Sequence, residues 1–209
     1  MLTLGQRNSL EGATSLYQAH LPGVALDYML GRGISEATCR MYRLGYVAPG
    51  HALLGDEQYA GRLAIPFISA GGVVGMRFRA VSGEEPKYLS RQGDEGTMFS
   101  VTSLLDQTST IVITEGEIDC MTLNQMHVSS VGISGAKNFK RHFRLLLQDF
   151  DRVLIACDGD QAGRDFGKHI ADQVQGAIPV SMPEGHDVNS VYTTHGEAEL
   201  RRLLRLSDG

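Results

Sequence analysis

Residues 153–164 read VLIACDGDQAGR, an unbroken apolar run that ends in two closely spaced aspartates. The five apolar residues 153–157 predict a short strand that is buried on both of its faces. The residues that follow predict a helix over about 161–175. Asp158 and Asp160 are therefore expected where a buried strand gives way to a helix, and parallel α/β sheets place their functional groups at such ends.

The same alternation of apolar strands and helices extends to both sides of this stretch. Further strands are predicted at 111–114, 128–133 and 177–182, and further helices at 117–127, 138–148 and 196–206. Short, wholly apolar strands between helices indicate a parallel sheet that is covered on both faces. The predicted fold class is therefore α/β, with a parallel sheet as its centre.

The residues before this α/β region have a different pattern. Residues 15–44 predict short helices, one of them over 36–43 after Ser35, and residues 62–69 and 73–81 predict a β-hairpin. An extended segment at 86–89 and a polar loop at 90–98 follow. We therefore predict a smaller mixed α+β lobe at 1–105, an α/β domain at 106–192 and a C-terminal helix at 193–209.

Composition narrows the possible classes of protein. The 209 residues are 42% hydrophobic, which is enough for one core or for two small lobes. No run approaches the ~18 apolar residues of a membrane span and no signal peptide is evident, so we expect a cytoplasmic protein. Cys39, Cys120 and Cys157 stand far apart, which argues against a zinc ribbon and disulfides and predicts buried, reduced thiols.

The net charge of −5 is unusual for a nucleic-acid-binding protein, but the charges are unevenly distributed. Basic residues predominate around the predicted hairpin, where Glu84 and Glu85 are the acids between positions 62 and 91. The candidates for phosphate contact in this region are Arg62, Arg77, Arg79 and Lys87. The alternative for these side chains is an ordinary solvated strand face.

Acidic residues follow three of the predicted strands. Glu115 follows 111–114, Asp158 and Asp160 follow 153–157, Asp187 follows 177–182, and Asp119 lies one helical turn after Glu115. Taken singly, an Asp-x-Asp pair is often a helix cap, and a lone Glu before a helix can be a favourable charge. Gathered at one edge of a sheet, these carboxylates would repel one another unless a cation neutralised them. An all-oxygen ligand set suits Mg²⁺ or Mn²⁺, which support phosphoryl transfer.

The stretches ITEGEID at 113–119 and ACDGDQAGR at 156–164 resemble the TOPRIM signature, and the second is particularly similar to DnaG-type bacterial and phage primases. Several segments upstream resemble the lobe that precedes the TOPRIM domain in that family. They are YMLGRGIS at 28–35, LGYVAP at 44–49, RLAIPF at 62–67, GMRFR at 75–79 and PKYLS at 86–90. The resemblance covers roughly residues 15–192.

The resemblance implies the RNA-polymerase core of a DNA primase, which makes short RNA primers on single-stranded DNA from ribonucleoside triphosphates. It implies a TOPRIM domain that uses Mg²⁺ or Mn²⁺, with Glu115, Asp158 and Asp160 as catalytic residues. The metal ligands that it implies are Glu115, Asp119, Asp158, Asp160 and Asp187. It further implies that Arg79 and Lys87 line the groove for the template and the nascent strand.

The sequence also departs from the family pattern. Asn189 stands where the family has a second aspartate two residues after the position of Asp187, and Ala136 replaces a common threonine. Because zinc-binding and helicase-binding domains have no counterpart, a replicative helicase or a separate zinc-binding module is an expected partner. Two other functions stay open: a TOPRIM metal-dependent nuclease, and a non-enzymatic DNA-binding accessory protein of replication or recombination.

Overall fold

The computed structural model describes residues 2–91 and 96–206. The polar loop predicted at 90–98 and the C-terminal segment predicted at 193–209 therefore lie partly outside the described residues. The chain divides into two compact units, Met1–Thr97 and Met98–Gly209. Among the helices of the described residues, none is both long enough and apolar enough to cross a membrane.

The first unit combines three helices with a four-stranded antiparallel sheet. The helices are α1 (Leu4–Ala19), α2 (Val24–Gly31) and α3 (Glu36–Met41), and the strands are β1 (Gly45–Tyr46), β2 (Arg62–Ser69), β3 (Gly72–Ala80) and β4 (Tyr88–Ser90). The strands follow one another in the sheet in chain order, and β2 and β3 form the predicted hairpin. The mixed α+β character predicted for this part of the chain is confirmed.

Side-chain caps start two of these helices. Thr3 accepts the backbone N–H of Gln6, and the Gln6 side chain accepts the N–H of Thr3 at 2.8 Å, which completes a capping box for α1. Ser35 accepts the N–H of Thr38 at 3.1 Å and begins α3, at the predicted position. Each such cap stabilises its helix by about 1 kcal/mol.

The core of the first unit packs α1 against the sheet. The ring of Phe78 in β3 stacks on Tyr59 at a centroid distance of 3.8 Å and meets the edge of Tyr17 at 6.4 Å. Gly45 of β1 lies so close to α1 that an added Cβ would stand 2.4 Å from the carbonyl carbon of Tyr17. Only glycine fits there, because Cβ atoms do not approach backbone so closely.

The second unit contains the predicted parallel sheet. Its strands are β5 (Thr110–Thr114), β6 (Ser130–Gly132), β7 (Arg152–Cys157) and β8 (Ile178–Ser181), in the order β6-β5-β7-β8. Its helices are α4 (Glu117–Gln125), α5 (Phe143–Leu146), α6 (Gln161–Ala171) and α7 (Val188–Leu203). The predicted α/β fold class is confirmed.

Both faces of the central strands β5 and β7 are buried, whereas the edge strand β8 is largely exposed. Ile113 and Ile155 point to one face and join a cluster that includes Phe166 of α6. Val112 and Leu154, which alternate with them, point to the other face and join a cluster with residues of α7. This two-sided burial is why the strands are apolar without alternation.

The boundary between the two units falls at 97/98 rather than at 105/106. Phe99 and Gly132 exchange two backbone hydrogen bonds, at 2.8 and 3.1 Å, which attach residues 98–105 to β6. The Ser103 hydroxyl then donates to the Asn124 side chain of α4 at 3.3 Å. Hydrogen bonds between residues so far apart in the chain leave no local pattern in the sequence. For this reason the sequence alone assigns residues 98–105 to the first lobe.

Two helix predictions are wrong in extent. The helix predicted at 138–148 is a single turn, α5, because Phe139 leaves the helical path at ψ 111° and packs edge-on against Phe143. The terminal helical segment extends further back than predicted, to Val188, because Asp187 and Ser190 form a capping box there. Gly196, at φ 84°, kinks this helix where the sequence predicted its start.

Candidate active site

The carboxyl ends of the two central strands bring Glu115 and Asp158 together. Thr114 of β5 pairs with Ala156 of β7 in parallel register, and Glu115 and Asp158 follow these strands directly. Both side chains are partly exposed, whereas the strand residues before them are buried. Asp160 follows two residues later and is exposed.

Glu115 experiences the negative charge of both aspartates. Burial, followed by repulsion from Asp158 and then from Asp160, raises the pKa of the Glu115 carboxyl to about 7. These causes place the three carboxylates within range of one another's charge. Glu115, Asp158 and Asp160, the predicted catalytic residues, thus lie at the same edge of the parallel sheet.

Close backbone packing explains the glycines between these carboxylates. A Cβ on Gly159 would stand 1.9 Å from the carbonyl oxygen of Pro183, in the loop that leads to Asp187. A Cβ on Gly163 would stand 2.3 Å from the carbonyl oxygen of Asp158, because α6 begins against that residue. The missing side chain of Gly159 therefore lets these two loops touch.

Asp160 and Asp187 both cap helices. Asp160 Oδ1 accepts the N–H of Gly163 at 2.8 Å and starts α6, and Asp187 Oδ1 accepts the N–H of Ser190 at 2.7 Å and starts α7. The alternative interpretation of an Asp-x-Asp pair as a helix cap thus holds for Asp160. Capping uses one oxygen of each carboxylate and orients the other. It is therefore compatible with metal binding by Asp160 and Asp187.

Asp119 has a different environment from the other acids. It is buried, and its Oδ1 accepts the backbone N–H of Asn189 in α7 at 2.9 Å. Asn189 in turn donates its side-chain amide to the hydroxyl of Thr122 at 2.9 Å. The sequence placed Asp119 at the crevice with the other acids, and the structure shows it joining α4 to α7.

Glu117 is a buried carboxylate that the sequence analysis missed. It is 1% exposed and accepts the hydroxyl of Ser134, in the loop after β6, at 2.7 Å. The available signal was a second glutamate two residues after Glu115, in the first turn of the helix α4. The bond fixes the loop that carries Gly135 and Ala136 to the start of α4.

The donor set near Glu115 fits a hard divalent cation. Within the described residues, no three His, Cys, Asp or Glu side chains already stand close enough to hold an ion. The ligand atoms offered by Glu115, Asp158 and Asp160 are oxygens, which Mg²⁺ and Mn²⁺ prefer. Burial and then repulsion from the two aspartates raise the pKa of Glu115, and a bound cation would favour its ionised form.

The basic residues of the first unit differ in burial. Arg62 and Arg79 are buried, Arg77 is half-buried and Lys87 is exposed. Arg62 donates to the carbonyl oxygen of Pro86 at 2.8 Å, and Arg77 lies 4.3 Å from the centroid of the Tyr88 ring. The alternative of an ordinary solvated strand face does not fit Arg62 or Arg79.

Comparison with known proteins gives consistent matches. A family model described as Toprim-like matches residues 112–192. The Gene 57 protein of Mycobacterium phage D29 is 36% identical over 151 residues, which cover 69% of this chain and 99% of that protein. The DNA primase of Deinococcus radiodurans is 26% identical over 237 residues, which cover 92% of this chain.

Solved structures agree in fold. The structure of the DnaG primase catalytic domain bound to ssDNA matches with a TM-score of 0.76 and 19% identity, over 95% of this chain and 80% of that chain. This chain spans 41% of the length of the Deinococcus radiodurans primase. Sequence relatives, family model and fold together lead to one assignment: the chain belongs to the family of DnaG-type primases with a TOPRIM domain.

Proposed function

We propose that this chain is the catalytic core of a DNA primase, a nucleotidyltransferase that synthesises short RNA primers on single-stranded DNA. The observation that carries the proposal is the placement of Glu115 and Asp158 at the ends of two paired parallel strands, with Asp160 two residues further on, in a chain of this family. Carboxylates gathered at the ends of parallel strands suit a reaction in which polyanionic substrates meet a divalent cation.

In the proposed reaction, the 3′-hydroxyl of the growing strand attacks the α-phosphate of a ribonucleoside triphosphate. The new P–O bond forms as the bond to the bridging oxygen breaks, and pyrophosphate leaves. Glu115, in its ionised form, accepts the proton of the 3′-hydroxyl. Without a cation the pKa of Glu115 is about 7, and a bound divalent cation would lower it, so Glu115 would be ionised and able to accept the proton.

We propose Glu115, Asp158, Asp160 and Asp187 as the residues that would hold Mg²⁺ or Mn²⁺. When bound, such an ion would neutralise charge on the phosphates and favour departure of pyrophosphate. Asp119, which was also predicted as a ligand, is proposed to support the metal site indirectly, through its hydrogen bond to α7. It holds the first turn of α7, and Asp187 caps that turn.

Arg62, Arg77, Arg79 and Lys87 are proposed to contact the phosphates of template and nascent strand. Lys87 is exposed and Arg77 half-buried, so these two are the more accessible cations. The DnaG catalytic domain whose fold this chain shares was solved with single-stranded DNA. A zinc-binding module or a replicative helicase is proposed as a partner, and the solved primase of Aquifex aeolicus contains a zinc-binding domain beside its RNA polymerase domain.

The test is primer synthesis from labelled ribonucleotides on a single-stranded template with Mg²⁺ or Mn²⁺. The purified chain is assayed alone and then with candidate partner proteins. We expect metal-dependent products, and we expect their loss in Asp158→Asn and Asp160→Asn. Asp165→Asn is the matched control, because Asp165 is exposed on α6 and hydrogen-bonds to Gln161.

Two results would contradict the proposal. Synthesis that persisted in Asp158→Asn and Asp160→Asn would remove these carboxylates from the reaction. Degradation of an end-labelled strand without added nucleotides, in place of synthesis, would support the nuclease alternative instead.

A further inference from the structure

Arg79 is a buried cation that is held by two tyrosines. It is 5% exposed and lies in β3 directly opposite Tyr88 of β4. Its Nε donates to the hydroxyl of Tyr28 in α2 at 2.6 Å, and its Nη1 donates to the hydroxyl of Tyr88. Its guanidinium carbon also lies 5.6 Å from the Tyr28 ring centroid and 4.9 Å from the Tyr88 ring centroid.

Other arginines of the same unit are anchored differently. Arg40 pairs with Glu36, Arg43 with Glu11 at 2.8 Å, and Arg91 with Asp56 at 3.2 Å. Each of these guanidinium groups is neutralised by a carboxylate. In the part of the chain that the structure describes, the side-chain hydrogen bonds of Arg79 go to neutral phenol oxygens instead.

This anchoring preserves the positive charge of Arg79. Taking a guanidinium out of water is costly, and a carboxylate partner would normally offset that cost. Phenol oxygens and aromatic faces offset part of it without cancelling the charge. The low dielectric around a buried group also makes its field on a nearby anion stronger than that of a solvated cation.

Two further cations surround the same rings. Arg77, two residues before Arg79 on the same side of β3, lies 4.3 Å from the Tyr88 ring centroid. Arg32 lies 5.1 Å from the Tyr28 ring centroid. Three guanidinium groups therefore lie around the two tyrosine rings.

We infer that Tyr28 and Tyr88 are positioning residues that hold Arg79 beside Arg77 as a subsite for a phosphate of single-stranded DNA. The inference rests on the proposed function and specifies how its nucleic-acid surface is built. The Tyr28 hydroxyl accepts from Arg79, so its own hydrogen is directed elsewhere and can be donated to a phosphate oxygen. The two phenol groups thus fix the orientation of the Arg79 guanidinium without neutralising it. Its positive charge can then interact with a bound phosphate.

The test measures binding of a fluorescent oligothymidylate by anisotropy at several salt concentrations, with EDTA present. Tyr28→Phe, Tyr88→Phe and the double variant remove the hydroxyls and keep the rings. We expect the double variant to bind about tenfold more weakly, as for a lost charge-assisted hydrogen bond. The slope of log affinity against log salt should become shallower by about 0.7 for one lost phosphate contact.

Controls separate this effect from a loss of stability. Tyr192→Phe, in α7 of the second unit, removes a hydroxyl that accepts from the Gln125 side chain at 3.4 Å and should leave both affinity and slope unchanged. In an Arg79→Gln background, the two phenylalanine changes should have no further effect, because the tyrosines act through Arg79. The single variants keep the test decisive if the double variant does not fold.

The possible failures are distinguishable. Wild-type affinity and slope in the phenylalanine variants would overturn the inference while primer synthesis by the wild type upheld the proposed function. Binding that falls as expected, without primer synthesis, would uphold the subsite and overturn the catalytic proposal. No binding of the oligothymidylate by the wild type would overturn the subsite.

Discussion

The carboxylate of Asp119 accepts the backbone N–H of Asn189 at 2.9 Å, between α4 and the first turn of α7. Asp187 caps the same turn, so the position of Asp187 depends on Asp119. The two helices are also joined by the Asn189–Thr122 hydrogen bond. An acid that the sequence suggested as a metal ligand therefore has a structural partner seventy residues away in the chain.

Asp119→Asn should destabilise the protein. The change removes the charge from a buried hydrogen bond, so we expect the free energy of unfolding to fall by about 1–3 kcal/mol. Urea unfolding measures this, with the exposed Asp165→Asn as control. Mn²⁺ binding by the folded Asp119→Asn protein should persist, and its complete loss at unchanged stability would show that Asp119 is a direct ligand.

Gly159→Ala should disturb the same edge of the sheet. The added Cβ would stand 1.9 Å from the carbonyl oxygen of Pro183, so the loop that leads to Asp187 must move. We expect a loss of about 1–3 kcal/mol in the free energy of unfolding, as for overpacked sites. Gly12→Ala in α1, where nothing lies within 4 Å of the new Cβ, should be neutral or stabilising. Equal effects of the two changes would refute the close approach.

The stability of the metal-free protein should depend on the ionisation of Glu115. Its pKa rises from 4.5 in the unfolded chain to about 7 in the fold, so the folded state binds the proton more tightly. The stabilisation from this proton is complete below about pH 4.5 and is lost as the pH rises through about 7. Urea unfolding in EDTA from pH 4 to 8 should show this decline in the wild type, and Glu115→Gln should reduce it. An identical pH profile for both proteins would contradict the repulsion among the three carboxylates.

Much of the site was predictable because its cause is local and periodic. Apolar runs at 111–114 and 153–157 predict adjacent buried strands, and parallel strands bring Glu115 and Asp158 to one edge. The burial of Cys39, Cys120 and Cys157 as free thiols, also predicted, follows from the same apolar context. These inferences required no knowledge of contacts between distant residues.

The other features of the fold and the site depend on contacts between residues that are distant in the chain. The Ser134–Glu117 and Asn189–Asp119 hydrogen bonds join such segments, and no sequence pattern indicates that these segments are close in space. The helix predicted at 138–148 satisfied the helical period, but packing of Phe139 and Phe143 in the core outweighed it. Likewise, the tyrosine partners of Arg79 become visible only once β3, β4 and α2 are folded together.

The proposed metal site requires that Glu115, Asp158 and Asp160 bind one divalent cation together. Electron paramagnetic resonance of Mn²⁺, titrated into the purified protein, measures this binding because it counts free and bound Mn²⁺ separately. We expect the wild type and Asp165→Asn to bind Mn²⁺, and Asp158→Asn/Asp160→Asn to bind little or none under the same conditions. Equal Mn²⁺ binding by all three proteins would rule out a cation site at these carboxylates.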